Sequence, residues 1–262
     1  PPTIAPAMEA ARPSERRQWA RGGTVDSPLN ARLVRVAAIV VAPAILAVLF
    51  SISEIGTLPR PPLDPVFDGT TAAELATDLS TKHPSRVPGT PGAEEAALWY
   101  TETLSTLGLT TEEDAWETDI PELGRVALKN FVTVVPGQSS EAIVLVAHRD
   151  NAGVGRAAGD NASGTAALIE LARGYAAQNA APAPLPRRTL VFVSTDGGAY
   201  GGAGARRFAD VSPHATGAIV AVVLDGIGGR GRPRLAVAGD EASSSSRVLA
   251  ATASARVAEE FG

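Results

Sequence analysis

The chain has 262 residues, 45% of them hydrophobic, with a formal net charge of −5 at neutral pH and no cysteine. This length and apolar content allow one large folded domain with an appendage. Disulfides and thiolate metal ligands are excluded, and the acidic balance gives no sign of nucleic-acid binding.

The amino-terminal part of the chain has the pattern of a membrane anchor. Residues 1–35, rich in proline, alanine and arginine, predict a disordered basic tail. Residues 36–53 carry no charged side chain, and a helix crosses a bilayer with roughly 17–25 apolar residues. The arginines before this stretch would hold the amino terminus in the cytoplasm and the following domain outside. We therefore expect a single-pass transmembrane helix, with a cleaved signal peptide or a buried core helix as the alternatives. Proline-rich residues 54–66 predict a stiff linker.

The remaining residues, 67–262, alternate between strand and helix patterns. Helices are predicted at 71–81, 94–107, 166–177 and 241–261, and strands at 109–118, 125–135, 142–147, 189–195, 218–224 and 234–238. Strands that alternate with helices predict an α/β domain with a largely parallel core. Because connections of this type are right-handed, the carboxyl ends of the core strands gather at one edge of the sheet, where such folds bind ligands.

The strand at 142–147 leads directly into His148-Arg149-Asp150, and Asp160 follows across a loop rich in glycine and alanine. Imidazole and carboxylate groups are good ligands for Zn²⁺ or a similar divalent ion. A ligating histidine usually bonds a second carboxylate through its other ring nitrogen, and Asp150 is well placed for that role. From these residues alone, a strand-end histidine with turn-forming or helix-capping aspartates is the other interpretation.

The segment AHRD, followed by GDNASGTAALIELAR, resembles the zinc aminopeptidases of peptidase family M28, in which a strand ends in HxD and a DNxSG turn opens a helix. Upstream, RVPGTPG at 86–92 resembles the lead-in of that family. Downstream, FVSTDGGAYGGAGARRF and VVLDGIG stand where the family has its next two strand-end motifs. The resemblance covers roughly Asp64 to Gly262.

The resemblance implies a three-layer α/β/α sandwich with a mixed, largely parallel central sheet. It also implies that His148, Asp160 and Asp225 are ligands of one zinc position, with Asp160 bridging toward a second, and that Asp150 orients His148. The resemblance also implies that the protein binds the amino terminus of a peptide or protein, as its substrate or as its ligand. The family pattern extends past residue 262, so we expect the domain to be truncated at its carboxyl end.

One motif departs from the family. Aligning Thr195 and Gly201 with the family pattern puts Gly198 and Ala199 where the family has two adjacent glutamates, one a general base and one a ligand of the second metal. We therefore expect one zinc ion and regard a second as doubtful. Asp196 is the nearby carboxylate that could replace the base, and a turn-forming Asp before Gly-Gly is the alternative.

Two functions follow from these observations. The first is a membrane-anchored, extracytoplasmic metallopeptidase of the aminopeptidase type, with one metal and impaired activity because a missing general base typically costs 10²- to 10⁴-fold in rate. The second is a catalytically inactive relative that binds peptides or serves as a scaffold.

Overall fold

The computed structural model describes residues 31–52, 56–59, 67–180, 185–229, 234–236 and 244–261. The chain divides into two compact units, Pro1–Gly56 and Thr57–Gly262, which are described separately.

The first unit contains helix α1, Ala31–Ile52. Residues 31–35, predicted as part of a disordered tail, belong to this helix, and the rest of the predicted tail lies outside the described residues. Several apolar side chains of α1 are exposed, among them Ile39 at 72%. Among the helices described, none is long and apolar enough to cross a membrane, so the predicted span at 36–53 finds no support.

The second unit combines five helices with five strands in the described residues. The helices are α2 (Gly69–Lys82), α3 (Pro91–Thr106), α4 (Ser163–Ala180), α5 (Ala203–Val211) and α6 (Ser244–Phe261). The strands are β1 (Glu112–Ile120), β2 (Gly124–Val135), β3 (Ala142–His148), β4 (Thr189–Thr195) and β5 (Ala218–Val223). An irregular turn, Ala158–Ala162, with non-helical backbone angles at Asp160 and Asn161, leads into α4.

The strands form one mixed sheet in the order β1-β2-β4-β3-β5. Strands β1 and β2 form an antiparallel hairpin, and β2 pairs antiparallel with β4. Strand β3 lies parallel to both β4 and β5, so the three strands end at the same edge. The predicted α/β class and mixed sheet are confirmed, although only half of the pairings among the described strands are parallel.

Apolar side chains cover both faces of the sheet because successive residues of a strand point to opposite sides. On one face, Leu190 and Phe192 of β4 pack with Leu168 and Ile169 of α4 and with Tyr100 of α3. On the other face, the valines of β3 and β4 pack against Phe208 of α5. The sheet therefore has helices on both sides.

Local sequence explains how the helices begin and end. Asp68 caps α2, since its carboxylate accepts the amides of Thr70 and Thr71. Pro91 opens α3, where its missing N–H costs no hydrogen bond. Gly108, at φ +73°, follows the end of α3 in the left-handed conformation that glycine favours.

Two elements differ from the sequence expectation. Helix α5 was not predicted, because its sequence AGARRFADV is only nine residues long and directly follows the glycine-rich residues 197–202. The predicted strand at 234–238 is not observed at residues 234–236, and residues 237 and 238 lie outside the described part of the chain. The other predicted elements of the domain occur with ends shifted by a few residues, as is normal for sequence patterns.

Strand β5 forms an edge of the described sheet. Its sequence AIVAVV is uncharged, yet most of its side chains are exposed, including Ile219 at 55% and Val223 at 65%. Only the backbone on its β3 side is paired with another described strand.

Candidate metal centre

Three potential ligands come together at the carboxyl edge of the parallel strands. His148 is the last residue of β3, Asp160 lies in the irregular turn before α4, and Asp225 follows the end of β5. Because β3 and β5 are parallel neighbours, their ends bring His148 and Asp225 to the same place. These are the three residues that the sequence indicated as ligands of one metal position.

The three side chains form one compact group. His148 Nε2 lies 3.3 Å from Asp160 Oδ1 and 3.4 Å from Asp225 Oδ1, and the candidate ligand atoms all lie within 4.8 Å of one another. The His148 side chain is 12% exposed, whereas those of Asp160 and Asp225 are 75% and 59% exposed. One nitrogen and two oxygen donors, open to solvent on the carboxylate side, fit the three-ligand set of a catalytic zinc site.

The surrounding charges act strongly on His148. Burial lowers the pKa of its imidazole, but the contact with Asp150 and the charges of Asp150, Asp225 and Asp160 outweigh burial and raise the pKa to about 9. The imidazole is therefore protonated at neutral pH in the metal-free protein, and a bound cation takes the place of that proton.

Asp150 is held between His148 and the turn after β4. His148 Nδ1 lies 3.1 Å from the Asp150 carbonyl oxygen and 3.4 Å from its Oδ1. The backbone amide of Gly198 donates to Asp150 Oδ1 at 2.8 Å, and that of Ala199 donates to Oδ2 at 3.0 Å. With its side chain 1% exposed and both oxygens engaged, Asp150 is fixed where it can orient the imidazole.

Asp196, which the sequence suggested as a replacement base, directly follows β4 and is bonded to other groups. It is 5% exposed, and its carboxylate accepts the amides of Gly197 at 2.9 Å and Lys129 at 3.4 Å. Arg149 Nη2 is 3.8 Å from Asp196 Oδ2. Burial raises the pKa of Asp196 to about 6, against the lowering effect of Arg149. A carboxylate held by Arg149 and two amides acts as a structural group, which gives no support to a catalytic role.

The other two histidines of the chain lie away from the three ligands. His214 Nε2 is 3.0 Å from Glu112 Oε2 at the opposite edge of the sheet. His83 Nδ1 is 3.5 Å from Glu95 Oε2, after the end of α2. Neither contacts the candidate metal ligands.

Several residues that shape the site were not identified from the sequence. Asn161 is fully buried and bonds the end of β5, and Arg86 is fully buried beneath the loop after β3. Asn151 joins that loop to the residues around Arg86. Their partners lie 63 to 67 residues away in sequence, so no local pattern reveals them. For Asn161, the one available signal was its position next to Asp160 before a helix start.

Comparisons with known proteins agree with this geometry. A family model described as Peptidase family M28 matches residues 130–261. No curated protein matches the sequence. Glutaminyl cyclase from Porphyromonas gingivalis has 22% identity and a TM-score of 0.57, with 64% of this chain and 63% of that chain covered.

Two solved peptidase structures are also similar to this chain, with slightly lower identity and TM-score. A leucine aminopeptidase precursor from Bacteroides thetaiotaomicron and a Zn-dependent exopeptidase from Parabacteroides distasonis each have 20% identity and a TM-score of 0.53, with 63% of this chain and 64% of that chain covered. The chain thus spans less than two thirds of the length of these proteins. At sequence identities of 20–22%, the structural similarity establishes a shared fold.

Proposed function

Because the chain belongs to peptidase family M28, we propose that it is a zinc-dependent peptidase that removes residues from the amino termini of peptides. The observation that carries the proposal is the group formed by His148, Asp160 and Asp225 at the carboxyl edge of the sheet. Zinc-dependent exopeptidases among the proteins of similar fold support the choice of metal. His148, Asp160 and Asp225 would hold one ion.

The bound zinc ion would polarise the scissile carbonyl group and lower the pKa of a water molecule. The residues of the chain supply the geometry. Asp150 orients the His148 ring, so that Nε2 faces the two exposed carboxylates. Asp160 and Asp225 provide the negative charge that holds a cation and leave its outer side accessible to a peptide. The exposed side of this group is therefore the proposed position of the scissile bond.

The turn after β4 lowers the expected rate. Gly198 and Ala199 offer only backbone amides, and both amides are bonded to Asp150. No side chain at these two positions can accept a proton from the attacking water. We expect hydrolysis to be slower by about 10²- to 10⁴-fold than with a positioned general base.

A second candidate is a peptide-binding domain without catalysis. It is favoured by the same absence of a carboxylate at positions 198 and 199 and by the engagement of Asp196 with Arg149. In that case His148, Asp160 and Asp225 would hold a metal that binds a peptide without cleaving it.

Zinc content and hydrolysis, measured on the same preparation of the full chain, distinguish the two functions. The assays are zinc analysis, release of p-nitroaniline from aminoacyl anilides, and cyclisation of a glutaminyl peptide. The variants are His148→Ala and Asp225→Ala, with His214→Ala as the matched control. Zinc binding with slow anilide hydrolysis, lost in the first two variants and kept in the control, is the expected result.

Each other result has a definite meaning. Zinc binding without turnover of either substrate would favour the binding domain. Cyclisation without anilide hydrolysis would replace the peptidase reaction by the reaction for which the Porphyromonas gingivalis protein is named. A wild-type chain that binds no zinc would overturn the proposed site.

Location outside the cytoplasm is a separate proposal, which rests on the uncharged residues 36–53 and on the arginines before them. Extraction of cell membranes with alkaline carbonate tests the anchor on which this location depends, since an integral membrane protein stays in the pellet. Release of the full chain into the supernatant would contradict the anchor.

A further inference from the structure

Two of the candidate ligands, Asp160 and Asp225, belong to segments that are far apart in sequence. Asp225 follows edge strand β5, and Asp160 lies in a turn with the non-helical backbone angles φ −134° and ψ 96°. Both side chains are exposed, so packing of the side chains themselves does not fix the distance between them. A neighbouring group must therefore join the two segments.

The carboxamide of Asn161 makes that connection. Its Nδ2 donates to the carbonyl oxygen of Leu224 at 2.8 Å, and its Oδ1 accepts the amides of Gly164 at 3.0 Å and Gly226 at 3.3 Å. Leu224 and Gly226 are the residues on either side of Asp225. Asn161 itself follows Asp160 directly, so a single fully buried side chain joins the backbones of both ligands.

The surroundings leave Asn161 no other position. A Cβ on Gly164 would lie 2.3 Å from Asn161 Oδ1 and 2.3 Å from the Leu224 carbonyl oxygen, so glycine is required there for the close approach. Gly164 also lies in the first turn of α4, where a backbone amide has no acceptor within the helix. The Asn161 oxygen supplies that acceptor and thereby fixes the start of α4 against the end of β5.

A second, weaker connection runs parallel to the first. The Ser163 hydroxyl donates to the Gly159 carbonyl oxygen at 2.6 Å and accepts the amide of Gly228 at 3.0 Å. It joins the residues just before Asp160 to those just after Asp225. The turn and the strand end are therefore held together on both sides of the two ligands.

We propose that Asn161 is the positioning residue of the metal centre: its carboxamide sets the separation of Asp160 and Asp225. The inference concerns the same site as the proposed function but depends on geometry that the metal-free protein already has. Partners of ligand residues typically contribute 10- to 100-fold to metal affinity, and we expect an effect of that size here.

The test compares Asn161→Ala and Asn161→Asp with a matched control, Asn130→Ala. Asn130 is 1% exposed and likewise joins distant backbone segments, since its Oδ1 accepts the amide of Asp196 and its Nδ2 donates to the carbonyl oxygen of Gly204. Neither of these partners is next to Asp160 or Asp225. Zinc affinity is measured by chelator competition, and deuterium exchange of the Gly226 amide is measured in the metal-free full chain.

We expect about 10- to 100-fold weaker zinc binding in both Asn161 variants, faster exchange at Gly226, and little change of either quantity in Asn130→Ala. A purely electrostatic role would instead strengthen zinc binding in Asn161→Asp, which adds a negative charge, and leave Asn161→Ala unchanged. Unchanged zinc affinity or unchanged Gly226 exchange in Asn161→Ala would overturn the proposal.

Two further outcomes remain decisive. If Asn161→Ala does not fold, Ser163→Ala loosens the same two segments and should show the same changes to a smaller extent; wild-type values in it would count against the connection. If the wild-type chain binds no zinc, the proposed peptidase site is wrong. Faster Gly226 exchange in Asn161→Ala would still support the positioning role.

Discussion

A Cβ atom on Gly198 would lie 2.2 Å from both Cβ and Cγ of His148. The imidazole therefore occupies the space that any side chain at position 198 requires. Position 198 is also where the family resemblance expects the glutamate base. Glycine at position 198 thus removes the carboxylate and at the same time leaves room for the His148 side chain.

Gly198→Ala should weaken zinc binding by about 10- to 100-fold, because the added methyl group forces His148 away from Asp160 and Asp225. Ala199→Ser is the matched control, since Ala199 is exposed and keeps its backbone bond to Asp150. Chelator competition on both variants checks this. Equal zinc affinity in the two variants would show that the turn moves freely and that Gly198 does not constrain His148.

Gly198→Glu should therefore fail to restore rapid hydrolysis, even though it supplies a carboxylate. The side chain displaces His148 before it can act as a base. Anilide hydrolysis and zinc content, both measured on Gly198→Glu, test this prediction. A gain in turnover with zinc retained would mean that the structure can accommodate a side chain at position 198 without displacing His148.

Asp150→Asn should lower zinc affinity by about 10- to 100-fold while the protein stays folded. The substitution replaces one carboxylate oxygen by an amide donor, which opposes the backbone amide of Gly198 or Ala199 and loosens His148. Asp114→Asn is the control, because Asp114 pairs with Arg207 away from the metal centre. Similar zinc affinity in both variants would remove the orienting role assigned to Asp150.

Asp196→Asn should gain stability relative to wild type as the pH rises. Burial raises the pKa of Asp196 to about 6 from 3.8, so the folded protein holds this proton more tightly than the unfolded chain does. The contribution of Asp196 to stability therefore falls as the pH rises from about 4 to 6. We expect the relative gain of the variant to reach at most about 3 kcal/mol between pH 4 and pH 7. The amide donor that Asn places against Arg149 or a backbone amide adds a cost that is the same at both pH values.

Urea unfolding of wild type and Asp196→Asn at the two pH values measures this difference. Other titrating groups are the same in both proteins, so they cancel in the comparison. An advantage of the variant that is equal at both pH values would indicate a change of packing or hydrogen bonding rather than of titration.

Arg86→Leu should destabilise the domain by about 3 kcal/mol or more. Arg86 is fully buried, and its guanidinium donates to the carbonyl oxygens of His83 at 2.7 Å and Arg149 at 2.9 Å. Leucine leaves these acceptors unpaired. Arg125→Ala is the control, since that arginine is 66% exposed and pairs with Glu117 on the surface. We expect it to change the free energy of unfolding by less than about 0.5 kcal/mol, and equal losses in the two variants would contradict the assignment.

The sequence predicted the framework of the domain because its signals are local. Runs of β-branched residues such as 189–195 mark buried strands whatever their neighbours are. His148, Asp160 and Asp225 could be found since each stands at the end of such a run or opens a helix. The position of β4 between β2 and β3 depends on pairing between segments that are distant in sequence, which no single stretch encodes.

The polar interior could not be predicted for the same reason. No local pattern marks Arg149 or Asp196 as buried, yet both are. Their proximity follows from the β3–β4 register, in which His148 lies opposite Thr195. The contacts of Asp196 with Arg149 and with the amide of Lys129 depend on this pairing and not on the turn sequence around it.

The edge position of β5 has a kinetic consequence for the metal centre. Hydrogen bonds of a strand paired on one side in the described sheet open more easily than those of the central strands. Among the described strands, His148 therefore belongs to a central one, whereas Asp225 follows a strand that we expect to open more easily. We expect the residence time of a bound ion to follow the fraying of β5, so that metal exchange is faster than the opening of the core.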